Sequence, residues 1–402
     1  MLRTVLFLLL SPLAASAQFP PNFQPPQHIS SDEALDRVLN KNVLTHDGKP
    51  FHAVLDLHEE KGDPAYMGRV ELIWAGERRY KLILTSRDFD QTLIVNGDQI
   101  EERDRGEFYP GWLNNFVTAL LNPMPRLQDL RGQNRSVAIG PQMSYSCVKR
   151  EDRPNGITND LTWAEVCFSG DAPTLQFDMD FTYNMEFHDF GRFGKKEIAR
   201  RYISGEADHA RIDGTLTTLE ELKSPDPALF TIAHPTPSAD RILTTLVSTR
   251  QEEAMVESRP QDVHWPNPHE GPLSGYMIVQ AITDRTGQVR ETSKHNSDNA
   301  EMESYGRLVA LQYKFHPLMV DGVAQQMEIP LVLHFEAATL TPYHTVNDAE
   351  TRQLVRGCKL PTEIRAPAAS GQTIHVQLVV VEDGGISEIG DPSHTIPPLA
   401  LY

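Results

Sequence analysis

Four side chains within TLQFDMDFTYNMEFH, residues 174–188, have the types that bind a hard cation through oxygen: Asp178, Asp180, Glu186 and His188. They share one parity, and a strand sends successive side chains to opposite faces. As one long strand the stretch carries a polar face of these residues and an oily face of Leu175, Phe177, Met179, Phe181, Tyr183, Met185 and Phe187. Ten residues separate Asp178 from His188, roughly 33 Å at strand rise, so one ion cannot meet both ends. Only Asp178 with Asp180, or Glu186 with His188, are neighbours. The polar face therefore reads as solvated, with no metal site.

Other chemistry lacks its spacing. The 15 histidines form no H-E-x-x-H or H-x-H. There is no G-x-S-x-G elbow, no phosphate-binding loop and no Rossmann glycine motif. Of the 3 cysteines, Cys147 and Cys167 flank the polar loop EDRPNG in a hairpin-like stretch, so a cross-strand disulfide is available to them. Cys358 is left over. Arg356 and Lys359 beside it would lower its pKa, yet no catalytic partner can be named. No C-x-x-C is present. The sequence points away from an enzyme and names no cofactor.

The elements that must position these residues are mostly strands. Residues 51–233 read as a succession of strands separated by Gly, Asp and Asn turns. Two helices interrupt them: SSDEALDRVLNKN, capped by Ser30 or Ser31, and GWLNNFVTALL at 111–121. The run Glu101-Glu102-Arg103-Asp104-Arg105 reads as a solvated turn. Residues 236–260 read as a connector, with Ser238 capping a helix whose face is Ile242, Leu243, Leu246 and Val247. After it come GYMIVQAITD, the turn Asp284-Arg285-Thr286-Gly287, QVRETSKHN, a helix capped by Asp298 or Asn299, and the strand MEIPLVLHFEA.

With 402 residues, two or three domains are expected. A net charge of -18 argues against nucleic acid as a partner. Met1-Leu2-Arg3, the apolar Val5–Leu10 and Ala15-Ser16-Ala17 read as an export signal cut before Gln18. The expectation is a periplasmic protein; an uncleaved N-terminus would instead anchor it in the inner membrane. Residues 18–28 are a proline-rich linker.

Exported, meandering strands after a helix, with forms such as YMGRVELIWAGERRYKLIL, resemble the LolA/LppX-type half-barrel of lipoprotein carriers over residues 30–235. The resemblance implies a curved sheet around an apolar cavity holding acyl chains. The face Leu175–Phe187 is then either cavity lining or simply core.

Residues 260–338 resemble the C-terminal domain of TonB-type energy transducers. The matching features are Trp265-Pro266, Gly271 and Gly275, Asp284 to Val289, Tyr313-Lys314-Phe315-His316-Pro317, Asp321-Gly322 and the strand Ile329–Phe335. Trp-Pro stands where Tyr-Pro is more usual. The resemblance implies capture of an extended peptide from an outer-membrane receptor by strand addition, at an edge formed by Met327, Ile329, Leu331, Leu333 and Phe335. A cleaved signal removes the anchor that force transduction needs, so a scaffold or adaptor role is expected.

HVQLVVVEDGGISEI matches IVQAITDRTGQVRET at a constant offset, 375 − 278 = 97. A second copy therefore begins, and it ends where its helix should continue. A half domain cannot bury its strand face alone. Either this hairpin docks on the first copy or the chain is truncated.

The expected architecture is α+β, mainly antiparallel β. It comprises a signal (1–17), a linker (18–29), a half-barrel-like sheet with few helices (30–235), a connector (236–260), a small ββαβ domain (261–338) and a partial repeat of it (339–402). The expected function is non-enzymatic envelope coupling through peptide binding; the alternative is a carrier of lipid or lipoprotein acyl chains.

Overall fold

The computed structural model describes residues 29–133, 135–139, 144–150, 163–169, 173–205, 210–261, 263, 265–266, 268, 271–337, 377–380 and 386–390. The export signal, most of the linker, the loop EDRPNG and Cys358 lie outside these residues. Two compact units are present, Met1–Leu340 and Thr341–Tyr402. The fold is mainly antiparallel β with few helices, as expected.

In the first unit the helix α1 (Ser31–Asn42) precedes five meandering strands: β1 (Phe51–Glu59), β2 (Gly68–Gly76), β3 (Arg79–Ser86), β4 (Asp90–Asn96) and β5 (Gln99–Arg105). Helices α2 (Gly111–Leu121) and α3 (Leu127–Leu130) follow. The chain then runs through β6 (Arg135–Ile139), β7 (Ser144–Arg150), β8 (Ala164–Ser169), β9 (Thr174–Asp180), β10 (Asn184–His188), the small hairpin β11 (Gly191–Phe193) and β12 (Lys196–Ile198), β13 (Arg201–Ser204) and β14 (Ile212–Glu221). Twelve of these strands form one open, curved sheet in the order β5-β4-β3-β2-β1-β14-β13-β10-β9-β8-β7-β6. The strand β14 returns to pair with β1, so two meanders share one sheet.

Both expected helices form. Ser30 caps α1, its hydroxyl accepting from the Glu33 N–H at 3.1 Å, and Ala34, Leu35 and Val38 face the sheet. The apolar face of α2, Leu113, Phe116 and Leu120, packs into the same core. Gly214 makes that approach possible: a Cβ there would lie 2.7 Å from the Phe116 ring.

The run at 101–105 is a strand, not a solvated turn. Glu101 accepts the N–H groups of Ala233 (2.8 Å) and His234 (3.2 Å). Glu102 accepts from the Ile242 N–H at 2.9 Å and Arg241 Nε at 3.0 Å. Both carboxylates are buried because the chain leaving β14 wraps the outer edge of β5. Buried charges need such partners.

The connector also differs. Residues 244–247 are not helical: β15 (Thr244–Leu246) lies parallel to β21 (Val323–Glu336). The β-branched Thr244 and Thr245 suit a strand, and the exposed ladder of β21 offers the hydrogen bonds. Then come α4 (Thr249–Met255), β16 (Val256–Ser258), β17 (Ser274–Thr283), β18 (Val289–Ser297), α5 (Glu303–Ala310), β19 (Lys314–Phe315) and β20 (Leu318–Val320). The sheet order is β15-β21-β17-β18, with α5 packed on β17 and β18. This is the expected strand–strand–helix–strand order. Gly287 takes a φ of 86°, and a Cβ there would meet the Phe315 carbonyl oxygen at 1.8 Å, so the turn requires glycine.

In the second unit, β22 (Gln377–Val380) and β23 (Ile386–Gly390) pair as an antiparallel hairpin.

Candidate functional site

The stretch 174–188 is not one strand. It is the hairpin β9–β10, with Asn184 opposite Met179, Met185 opposite Asp178 and Glu186 opposite Phe177. The chain reverses because Asp180 closes the turn. Its carboxylate accepts the Thr182 N–H (2.6 Å) and hydroxyl (3.0 Å), and its N–H donates to the Tyr183 carbonyl at 2.7 Å. A bulge adds a second departure. Phe168 faces Leu175 and Cys167 faces Phe177, so Gln176 is the extra residue.

Cross-strand partners share a face, so the pairing assigns each side chain. Val148, Val166, Asp178 and Met185 form one row across β7, β8, β9 and β10. Val148, Val166 and Met185 belong to the apolar core on the concave face beneath the helices. Asp178 therefore points into that core, and Asp180, opposite the core residue Ala164, points the same way. Both are buried, Asp178 at 2% exposure and Asp180 at 5%. The expectation of a solvated polar face is overturned for these two. Glu186 and His188 lie on the opposite face, 2.9 Å apart, with Arg211 donating to Glu186 at 3.3 Å. The four residues that share parity are thus split between two faces.

The oily set divides as well. Leu175, Tyr183, Met185 and Phe187 are core residues and Phe181 is buried, whereas Phe177 and Met179 are half-buried on the Glu186 face. Leu175 and Phe187 line a void with Asn42, Leu120, Ala199 and Tyr202. The space open to the centre of a water there is about 10 Å³, room for about one molecule.

One oxygen of Asp178, Oδ2, has no hydrogen-bond partner among the described residues, and neither has the buried hydroxyl of Tyr183. Burial pushes the Asp178 carboxyl well above its ordinary range, with the charge of Asp180 adding to the shift. Burial raises Asp180 too, against the opposing Thr182 hydrogen bonds. Burial likewise pushes Tyr183 up, and the Asp178 charge adds to it. Opposing charge comes from Arg126 at the start of α3. Arg126 pairs with Asp129, which also meets Arg150 at 3.3 Å. The short helix α3 thus lies over β7 and β8, with Leu130 buried in the core and the charged pair at its margin.

The roof over the concave face is tied at its margins. Asn42 at the end of α1 donates to the Glu197 carbonyl (2.7 Å) and accepts the Leu175 N–H (3.0 Å). Pro110 leaves α2 with no side-chain cap of its own. Glu291 of β18 supplies one, accepting the N–H groups of Gly111 and Trp112 at 2.8 Å each. A carboxylate at a helix N-terminus satisfies free donors and complements the dipole. Burial nevertheless raises Glu291 to about 7. Beside it, Gln326 accepts the Tyr109 N–H (2.6 Å) and donates to the Tyr109 carbonyl (3.1 Å). Neither Glu291 nor Gln326 is visible in the sequence as a site residue; the missing cap at Pro110-Gly111 is the one hint.

The expected peptide-binding strand is paired along one side and, at its start, on the other. β17 pairs with β21 from Met327 to Glu336, and β15 covers the other side at 326–328. Pro330 has no N–H to offer, and Glu252 accepts the N–H of Val332. Met327, Ile329, Leu331, Leu333 and Phe335 are all buried in the core of this half. The connector forms a strand where a helix is expected, and it takes up the positions 326–328. Among the described residues the outer strands of the sheet are β15 and β18, and beyond Glu328 no strand pairs with the β15 side of β21.

The sulfurs of Cys147 and Cys167 are 2.08 Å apart as a disulfide between directly opposed residues. Glu165 lies near them, but disulfide sulfurs are not thiolate ligands.

No protein-family model matches the chain, and no curated protein matches it. Among solved structures, a LolA superfamily protein from Nitrosomonas europaea shows a weak likeness. Its TM-score is 0.35 at 8% sequence identity, covering 51% of this chain and 98% of that one.

Proposed function

We propose that the twelve-stranded half of this chain is a non-enzymatic carrier of acyl chains, exported to the periplasm. One observation supports the reading. An open, curved sheet presents an apolar concave face roofed by short helices, and a void lies where roof and sheet meet, between Leu120, Leu175, Phe187 and Tyr202.

A void of one water cannot hold an acyl chain, so the roof must move for a chain to enter. Its attachments suit that. Polar ties hold α2 at Gly111 and Trp112 through Glu291, at Asn115 through Ser204 (3.1 Å), and at the Leu121 carbonyl through Thr45 (2.6 Å). Between them Leu113, Phe116 and Leu120 touch the sheet through apolar surface, which an acyl chain can replace in kind.

Native mass spectrometry of the full protein, purified from its envelope fraction without detergent, tests the reading. A bound mass that leaves on gentle activation and matches a lipid is expected. A clean protein mass, with no uptake of added oleic acid, overturns it.

The other half supports a second role. The outer edge of β18 pairs with no strand among the described residues, so an adaptor that adds a peptide strand has β18 available to it. Extended receptor peptides titrated by calorimetry should then bind, and a Thr292→Pro change in β18 should abolish binding; peptides that never bind refute this role.

A further inference from the structure

We infer that Asp178 and Tyr183 form the polar anchor of the carried ligand, so that the preferred ligand is a long-chain amphiphile whose head carries an O–H or N–H donor. This rests on the carrier reading above.

Buried polar groups are nearly always hydrogen-bonded, and each exception needs an account. Here two exceptions occur together: Asp178 Oδ2 and Tyr183 Oη, both buried and both without a partner among the described residues. Strand pairing places them on the concave face. Asp178 sits between the core residues Val166 and Met185, and Tyr183 is itself a core residue.

Their position relative to the void is fixed by the same ladder. On β9 the inward positions run Leu175, Asp178, Asp180; on β10 they run Phe187, Met185, and then Tyr183 just before the strand. Leu175 and Phe187 line the void. One inward step along either strand, roughly 7 Å, leads from the void wall to Asp178 or Met185. A chain that widens the void along these strands therefore brings its head to the carboxyl and the phenol. Asp180 does not compete, because Thr182 already occupies its carboxylate. Arg126 and Asp180 are the charged groups acting on Asp178, and they set its electrostatic surroundings.

A hydroxyl head completes both orphaned groups, donating to Asp178 Oδ2 and accepting from the Tyr183 hydroxyl, whereas an ammonium head, which has no acceptor, satisfies Asp178 alone. An ester head has no donor and leaves Asp178 as it is. Removing a buried acceptor's partner costs more than the bond itself is worth, so the discrimination should reach about tenfold or more.

The test uses the full chain and three matched probes, oleyl alcohol, oleylamine and methyl oleate, with binding measured by native mass spectrometry and fluorescence displacement. The wild type should prefer the alcohol and amine to the ester by about tenfold. Asp178→Val should erase the preference and keep the affinity for the ester. Tyr183→Phe, which removes one oxygen without changing shape, should weaken the alcohol and the ester, both of which accept from the hydroxyl, and leave the amine unchanged. Equal affinity for all three probes, or a preference that survives Asp178→Val, overturns the anchor and leaves the carrier standing. Binding of none of the three overturns both.

Discussion

Replacing Asp178 by valine should stabilise the protein. The substitution continues the row Val148, Val166, residue 178, Met185 with a β-branched side chain on the concave face. It removes a buried carboxyl oxygen that has no partner among the described residues. An orphaned buried acceptor costs about 1–3 kcal/mol, and exchanging buried charge for packed apolar groups gains about 1–4 kcal/mol where the shape fits. A gain of about 1–3 kcal/mol at pH 8 is therefore expected. The gain should depend on pH, and its sign is fixed. The native Asp178 carboxyl titrates well above its unfolded value of 3.8, so the native state binds the proton more readily. Wild-type stability thus falls as pH rises above about 4, by up to about 1.4 kcal/mol per unit, until the raised native value is passed. The valine variant lacks this contribution. Urea midpoints of both proteins at pH 5 and pH 8 measure the gap, which should be wide at pH 8 and narrow at pH 5. A variant that is less stable at pH 8, or a gap that stays constant, refutes the placement of Asp178 in the core.

Three further outcomes follow from the contacts. Glu291→Ala removes the cap of α2, a loss of about 1–2 kcal/mol, and the amides of Gly111 and Trp112 should exchange with solvent at least tenfold faster; unchanged exchange would mean that α2 is capped otherwise. Reducing the Cys147–Cys167 bond, which closes a separation of 20 residues, should lower stability by about 3 kcal/mol, and a non-reducing peptide map should recover the linked peptides. Gly214→Ala places a methyl 2.7 Å from Phe116 and 3.0 Å from Leu57, so it should cost about 1–3 kcal/mol as α2 is pushed off the sheet; a shift below about 0.5 kcal/mol would show that the helix is loosely seated.

The local signals in the sequence were reliable where one residue decides one feature. Ser30 caps α1, Asn299 accepts the Glu301 N–H at 2.9 Å ahead of α5, and Gly287 sits where a positive φ is required. The signals failed where a feature depends on a distant neighbour. The edge of β5 buries Glu101 and Glu102 because residues 233–242 fold back over it, and the acidic run itself carries no trace of that. Thr244–Leu246 form a strand because β21 has a free ladder beside them, although their apolar spacing suits a helix.

The stretch 174–188 shows how a correct pattern leads to a wrong face. Inward-facing positions begin on odd numbers at Leu175. The extra residue Gln176 moves them to even numbers, so Asp178 and Asp180 point inward. The two-residue turn Phe181-Thr182 sets Tyr183 opposite Asp180 and moves them back to odd numbers, so Met185 and Phe187 point inward. Two shifts of one residue cancel, and the alternation in the sequence looks unbroken. Between the shifts the faces are exchanged: Phe177 and Met179 lie outside, and two aspartates lie in the core. A selection for stability alone would favour apolar residues at those two inward positions, because each buried carboxyl must be desolvated. Asp180 is accounted for by the turn it closes. Asp178 closes no turn, and among the described residues its Oδ2 has no partner, a cost that the proposed ligand head would offset.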